Sequence, residues 1–138
     1  MAIAVVCGGL FGIESCCKEY CMRQFMRVEF IGFDSSEVDT FQLTIYEPNG
    51  QFNQKIDSTV TRTYYHNNGP MGFSYTEDEV DLAKDMEITI PGATRVFRIT
   101  GIDTRKKACN CGPGHTKEVN AYTINGVRKN GNVVELNK

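Results

Sequence analysis

Hydrophobic and polar residues alternate along most of the chain after residue 21. Residues 22–33 place Met26, Val28 and Phe30 on one side, and residues 39–47 do the same with Phe41, Leu43 and Ile45. A period of two is typical of β-strands that bury one face. The same character predicts further strands at residues 58–66, 86–90, 94–102 and 119–124, from residue 127 onward, and at residues 133–136. We therefore predict about seven or eight short strands.

Turn residues separate these segments. Pro48-Asn49-Gly50 ends one strand, and Asn125-Gly126 is the pair that a two-residue hairpin turn prefers. One short helix is predicted at residues 76–85, where Thr76 and Glu79 fit a capping box. No segment is long enough for the crossover helices of a parallel sheet. The fold class that follows is all-β: an antiparallel β-sandwich of about seven strands with one short helix.

Composition limits the classes of partner. The chain has 138 residues, enough for one domain with a hydrophobic core, which we place at residues 16–138. The net charge is −2, with basic and acidic residues intermixed, so we expect no nucleic-acid partner and no electrostatic binding to a membrane.

The first residues have a different character. Residues 2–13 are small and apolar and carry no charge. They are too few for a membrane-spanning helix, which needs about 20 residues, but they suit the apolar part of a signal peptide. Residues 1–15 are therefore either a signal-peptide remnant or a buried first strand. The small residues and glycines favour the signal peptide.

Six cysteines lie near the two ends of the sequence, at positions 7, 16, 17, 21, 109 and 111. Three interpretations remain open for Cys17, Cys21, Cys109 and Cys111. They pair as two disulfides, they bind zinc with or without His115, or they are free and reactive. We favour disulfides, because the single residue between Cys109 and Cys111 is a narrow gap for a tetrahedral zinc site. No thioredoxin-like pattern supports a redox centre.

Cys16 has a separate interpretation. Ile13, Ser15 and Cys16 occupy positions that match a degenerate lipobox, with Glu14 as the unusual residue. Cleavage before Cys16 would make it the lipid anchor, and it would leave an even number of cysteines to pair. Membrane association is then expected only through this lipid.

Two stretches carry a resemblance to a known group of proteins. They are Cys16-Cys17-Lys18-Glu19-Tyr20-Cys21 and Ala121-Tyr122-Thr123-Ile124-Asn125-Gly126. Together with the apolar leader and the short strands, they give a layout that resembles the small uncharacterised lipoproteins of Bacteroidota. The resemblance implies a location in the cell envelope, at the outer membrane or in the periplasm, and an immunoglobulin-like or transthyretin-like sandwich. It implies no known activity.

A loop rich in glycine and asparagine is flanked by aromatic residues. The ligand-binding candidates around it are Tyr64, Tyr65, His66, Phe73 and Tyr75. Such rings can stack on sugars or peptides, and the neighbouring amides can bind hydroxyl groups. The simpler interpretation, which we favour, is that Phe73 and either Tyr64 or Tyr65 fill the core from two neighbouring strands.

No catalytic motif accompanies the only two histidines, His66 and His115. The leading hypothesis is therefore a non-enzymatic protein of the cell envelope, without a cofactor, that binds or supports a surface protein or a glycan. The alternative is a small binding module stabilised by zinc at the four-cysteine site.

Overall fold

The computed structural model describes residues 24–65, 69–76, 81–93, 95–108 and 114–138. These residues form ten β-strands and no helix. In chain order the strands are β1 (Gln24–Ile31), β2 (Thr40–Tyr46), β3 (Lys55–Arg62), β4 (Tyr64–Tyr65), β5 (Met71–Thr76), β6 (Asp85–Thr89), β7 (Val96–Ala108), β8 (His115–Ile124), β9 (Val127–Asn130) and β10 (Val133–Asn137). The all-β prediction is confirmed.

The strands are connected by hydrogen bonds in the order β3-β2-β6-β7-β8-β1-β5-β4, with β9 beside β8 and β10 beside β1. This ribbon folds into the two packed layers of a β-sandwich. The long strand β7 pairs with β6 through its first residues and with β8 along most of its length. Its register shifts around Asp103, close to Gly101 at a φ of 55°. Such irregularities let a strand bend from one layer towards the other.

Strand orientation is only partly as predicted. Most neighbours are antiparallel, but β1 runs parallel to β10 and, at Gln24 and Phe25, parallel to β8. The alternation of hydrophobic residues defines the buried face of a strand and carries no information about its direction. The pattern of hydrophobic residues therefore could not predict the parallel pairs.

The core lies between the two layers and is built from alternate residues. Met26, Val28 and Phe30 of β1 are buried, as are Phe41 and Leu43 of β2. These are the faces that the sequence predicts to be hydrophobic. Other buried side chains come from β5 to β8 and β10, including Phe73, Met86, Ile88, Phe97, Ile99, Val119, Tyr122, Val134 and Leu136.

The segment predicted as a helix is not helical where the structure describes it. Thr76 is the last residue of β5, Leu82 and Ala83 form a turn, and Asp85 begins β6, while residues 77–80 lie outside the described residues. Strand pairing explains the difference, because Thr76 lies opposite Phe25 of β1. Tertiary pairing outweighs the local preference of a capping box.

The strand count also differs from the prediction. The predicted strand at residues 58–66 is two strands, β3 and β4, which belong to different layers. Thr63 stands between them, and its N–H and hydroxyl donate to the carbonyl oxygens of Asp39 and Val38 at 3.1 and 2.7 Å. These bonds hold the chain where it leaves one layer for the other.

In the described part of the chain, no helix is long and apolar enough to cross a bilayer.

Candidate functional site

All six cysteines and His66 lie outside the described residues. The lipid anchor at Cys16, the disulfides and the zinc site therefore stay predictions. Within the described ranges, no three His, Cys, Asp or Glu side chains are grouped so that they could hold a metal ion.

The described neighbours of the two cysteine groups lie at one end of the sandwich. Gln24, three residues after Cys21, pairs with Lys117 of β8. Ala108, directly before Cys109, pairs with the exposed His115 at the start of the same strand. Since β1 and β8 run in parallel, Gln24 and Ala108 lie at the same end of the sandwich.

The predicted aromatic residues do not form one cluster. Phe73 is buried and stacks on Phe41, with ring centroids 4.3 Å apart. Tyr75 belongs to β5, where its backbone lies opposite Met26. Tyr64 and Tyr65 are 48% and 63% exposed on β4. The prediction that Phe73 fills the core is thus confirmed, whereas both adjacent tyrosines lie at the surface.

The exposed tyrosines belong to a longer apolar surface. We call residues 55–65, which comprise β3 and β4, the open edge. Five large hydrophobic residues are exposed in the part of the chain that the structure describes, and four of them lie in the open edge: Ile56, Val60, Tyr64 and Tyr65. Strands β3 and β4 are the two ends of the order in which the strands pair. The open edge therefore borders both layers.

The middle of β3 lacks the features that usually protect an edge strand. Among the described strands β3 pairs only with β2, and its charged residues Lys55, Asp57 and Arg62 lie towards its ends. Residues 58–61 are uncharged and contain no proline. Natural edges are commonly blocked by charges, prolines or bulges. An uncharged, β-branched edge is suited to pairing with a further strand.

A second surface feature surrounds Phe52, in the loop between β2 and β3. The Phe52 ring meets the Tyr46 ring edge to face, with centroids 5.3 Å apart, and the guanidinium carbon of Arg98 lies 5.1 Å from its centroid. Arg98 Nε donates to Glu87 at 2.9 Å. Burial and the nearby Glu87 carboxylate raise the pKa of Tyr46. The four side chains thus hold one another in place.

A groove of about 460 Å³ lies beside this cluster. We call it the Arg98 groove; it is lined by Gly50, Gln51, Phe52, Arg98, Thr100, Asn125 and Gly126. Sequence reasoning did not find it, because Phe52 and Arg98 are far apart in the chain and neither belongs to a motif. The turn signals at Gly50 and at Asn125-Gly126 were the parts of it that the sequence displayed.

Comparison of the chain with models of protein families, with curated proteins and with solved structures finds no match in any of the three.

Proposed function

We propose that this protein is a non-enzymatic binding module of the cell envelope that holds an extended segment of a surface protein along its open edge. The observation that carries the proposal is the uncharged, exposed centre of β3, with Val60 71% exposed. Four of the five exposed large hydrophobic residues among the described residues lie on this one segment.

Binding would occur by addition of a strand. The partner's backbone would hydrogen-bond to the N–H and C=O groups of β3 that point away from β2, and its alternate side chains would contact Val60 and the tyrosines. Thr63 supports this role because its hydrogen bonds to Asp39 and Val38 fix the course of the edge before a partner arrives. A preorganised edge loses less conformational entropy on binding.

The envelope location belongs to the same proposal. Cleavage before Cys16 would leave a lipid-anchored chain, and Cys17, Cys21, Cys109 and Cys111 would pair as two disulfides. The proximity of Gln24 and Ala108 to β8 supports this pairing, since Cys21 lies three residues before Gln24 and Cys109 directly follows Ala108. The exposed His115 at the same end supports zinc binding as the alternative use of these cysteines.

Site-specific photo-crosslinking tests the open edge. A photoreactive amino acid replaces Val60 or Tyr65 in the protein produced in its own host, and Val127 serves as the matched position because it is also exposed, at 61%, on β9. We expect one surface protein to be captured from positions 60 and 65 and not from position 127. Its purified form should bind the wild-type protein, and Val60→Lys should weaken binding about tenfold or more, whereas Val127→Lys should not.

Three outcomes contradict the proposal. Capture only of a second copy of this chain would make the open edge a self-association surface. Equal capture from position 127 would show that contact is not specific to the edge. Unchanged affinity in Val60→Lys would mean that β3 is not part of the interface.

Intact mass tests the location and the cysteine chemistry. The protein is expressed with its native leader and weighed with and without reduction, with metal analysis of the same sample. Cleavage before Cys16, added lipid mass and two disulfides are expected. A full-length chain with free thiols and stoichiometric zinc would replace the anchored module by the zinc-stabilised one.

A further inference from the structure

We propose that the Arg98 groove is a second binding site, which takes an acidic monosaccharide of the hexuronate class with its carboxylate on the guanidinium of Arg98. The site does not depend on the open edge. It is carried by the arrangement of hydrogen-bond donors around the groove and by the strained backbone that presents them.

Arg98 is held in place before any ligand arrives. Its Nε donates to Glu87 at 2.9 Å, its guanidinium lies over the Phe52 ring, and its backbone N–H donates to Asn125 Oδ1 at 2.8 Å. Its two terminal nitrogens have no hydrogen-bond partner among the described residues. A planar guanidinium with both terminal nitrogens available matches the two oxygens of a carboxylate.

Two other arginines, Arg128 and Arg105, use their terminal nitrogens for hydrogen bonds or ion pairs within the protein. Arg128 uses both terminal nitrogens, one for the Gly101 carbonyl oxygen and the other for Asp103. Arg105 donates from Nε and a terminal nitrogen to Glu118. Arg98 therefore combines an anchored position with an unused pair of donors, which is the combination that an anion site needs.

Two further groups complete the chemistry of the groove. Gln51 Oε1 accepts a hydrogen bond from Asn53 at 3.0 Å, which leaves its Nε2 as a donor, and the Thr100 hydroxyl has no partner within the described ranges. Among these side chains and Arg98 the available donors outnumber the available acceptors, so a ligand rich in acceptors fits best. A hexuronate offers one carboxylate for Arg98 and hydroxyl oxygens for Gln51 and Thr100. The volume of about 460 Å³ lies in the range of small-ligand sites.

The backbone around the groove is unusual. Phe52 and Asn125 are the two non-glycine residues with positive φ in the described part of the chain, at 54° and 46°, and both line the groove. Asn125 suits this conformation, whereas for a bulky residue such as phenylalanine it is unfavourable. The loop is held by Gly50 N–H, which donates to Asp85 Oδ2 at 2.6 Å. Strain that the surroundings maintain is characteristic of functional sites.

Titration of the ¹⁵N-labelled full chain with glucuronate, at constant ionic strength, tests the proposal. Glucose provides the same ring without a carboxylate, and acetate provides a carboxylate without the ring. We expect saturable shifts at residues 50–52, 98–100 and 125–126 with glucuronate, and about tenfold weaker binding of glucose and acetate. Equal binding of glucose would overturn the role of the carboxylate, and equal binding of acetate would overturn the role of the sugar.

Two variants and one control separate binding from folding. Arg98→Lys keeps the charge but loses the two-pronged geometry, so we expect affinity to fall about tenfold or more. Gln51→Glu replaces a donor on an exposed loop and should also weaken glucuronate binding. Arg62→Lys, at the opposite end of the β2–β3 pair, should bind as the wild type does. Wild-type affinity in both groove variants, with the fold intact, would overturn the proposal, as would shifts that do not saturate.

Discussion

The rings of Phe41 and Phe73 stack with their centroids 4.3 Å apart and their planes inclined by 26°. Phe41 belongs to β2 of one layer and Phe73 to β5 of the other, so this contact spans the sandwich. Phe30 of β1 approaches both rings, at 5.5 and 6.0 Å. Stacked and tilted arrangements at these distances are favourable for aromatic rings. The three phenylalanines therefore form the centre of the core.

Removal of the Phe73 ring should be strongly destabilising. Because the side chain is buried, Phe73→Ala leaves a cavity against Phe41 and Phe30 and should lower the free energy of unfolding by about 3–5 kcal/mol. Urea denaturation measures this loss. Tyr65→Ala is the matched control, since this aromatic side chain is exposed and its removal should change the stability by less than about 0.5 kcal/mol. Similar losses in the two variants would contradict the assignment of Phe73 to the core.

The contrast between Phe73 and Tyr65 shows which features of the fold can be predicted from the sequence. The alternating pattern predicted the buried faces of β1 and β2, because a period of two fixes which side chains share a face. It could not distinguish a core aromatic from an exposed one, since both types follow strand-like patterns. That difference depends on the corner at Thr63, where the chain changes layer, and no local pattern predicts such a corner.

The candidate sites were harder to predict for a similar reason. Arg98 and Phe52 meet because the β2–β3 loop packs beside β7, which is a long-range contact without sequence periodicity. The open edge is defined by the absence of a described neighbour beside β3, and a strand at an edge has the same composition as many inner strands. The cysteine predictions fall on residues outside the described ranges and stay predictions.

Stability should fall in acid through Glu118. This carboxylate is buried, which by itself would raise its pKa, but hydrogen bonds from Arg105 and Lys107 outweigh the effect and lower the pKa below the usual value. A lowered pKa in the folded state means that the stabilisation is present above the unfolded value, about 4.3, and is lost as the pH falls through the folded value. Urea denaturation between pH 7 and pH 3 should show this decrease.

Glu118→Gln is the variant that identifies the group. It removes the charge opposite Arg105 and Lys107 and should lower the stability at pH 7 by about 1–2 kcal/mol, a modest value because both cations are half-exposed. Its stability should also depend less on pH below about pH 4.5 than that of the wild type. An unchanged acid dependence would assign the effect to other carboxylates.

Ionisation of Tyr122 should destabilise the protein at alkaline pH. Burial raises the pKa of this tyrosine, and the hydrogen bond from the Glu135 N–H, at 3.0 Å, only partly opposes the effect. Since the folded state holds the proton more tightly, the stabilisation is complete below about pH 10 and is lost as the pH rises through the folded-state pKa. Tyr122→Phe should weaken this alkaline dependence. It should also cost about 1–2 kcal/mol at pH 7, because the Glu135 N–H loses its acceptor.

A tyrosine elsewhere provides the comparison for Tyr122. Tyr65→Phe removes a hydroxyl from an exposed ring and should leave the stability at pH 7 unchanged. If Tyr122→Phe behaved in the same way, the hydrogen bond to Glu135 would contribute nothing to folding.

The Asn125-Gly126 turn should distinguish backbone strain from side-chain bonding. Asn125 has a φ of 46°, and its side chain accepts a hydrogen bond from the Arg98 N–H and donates one to the Val96 carbonyl oxygen, at 2.8 and 3.3 Å. Asn125→Gly keeps the turn conformation and loses these two bonds, so we expect a cost of about 1–2 kcal/mol. Asn125→Ala loses the same bonds and adds about 1–2 kcal/mol, because alanine is strained at positive φ. Urea denaturation of both variants should give Asn125→Ala a lower free energy of unfolding than Asn125→Gly. Equal free energies in the two variants would mean that the turn relaxes to another conformation. Wild-type stability in both variants would mean that the hydrogen bonds between this turn and β7 are not stabilising.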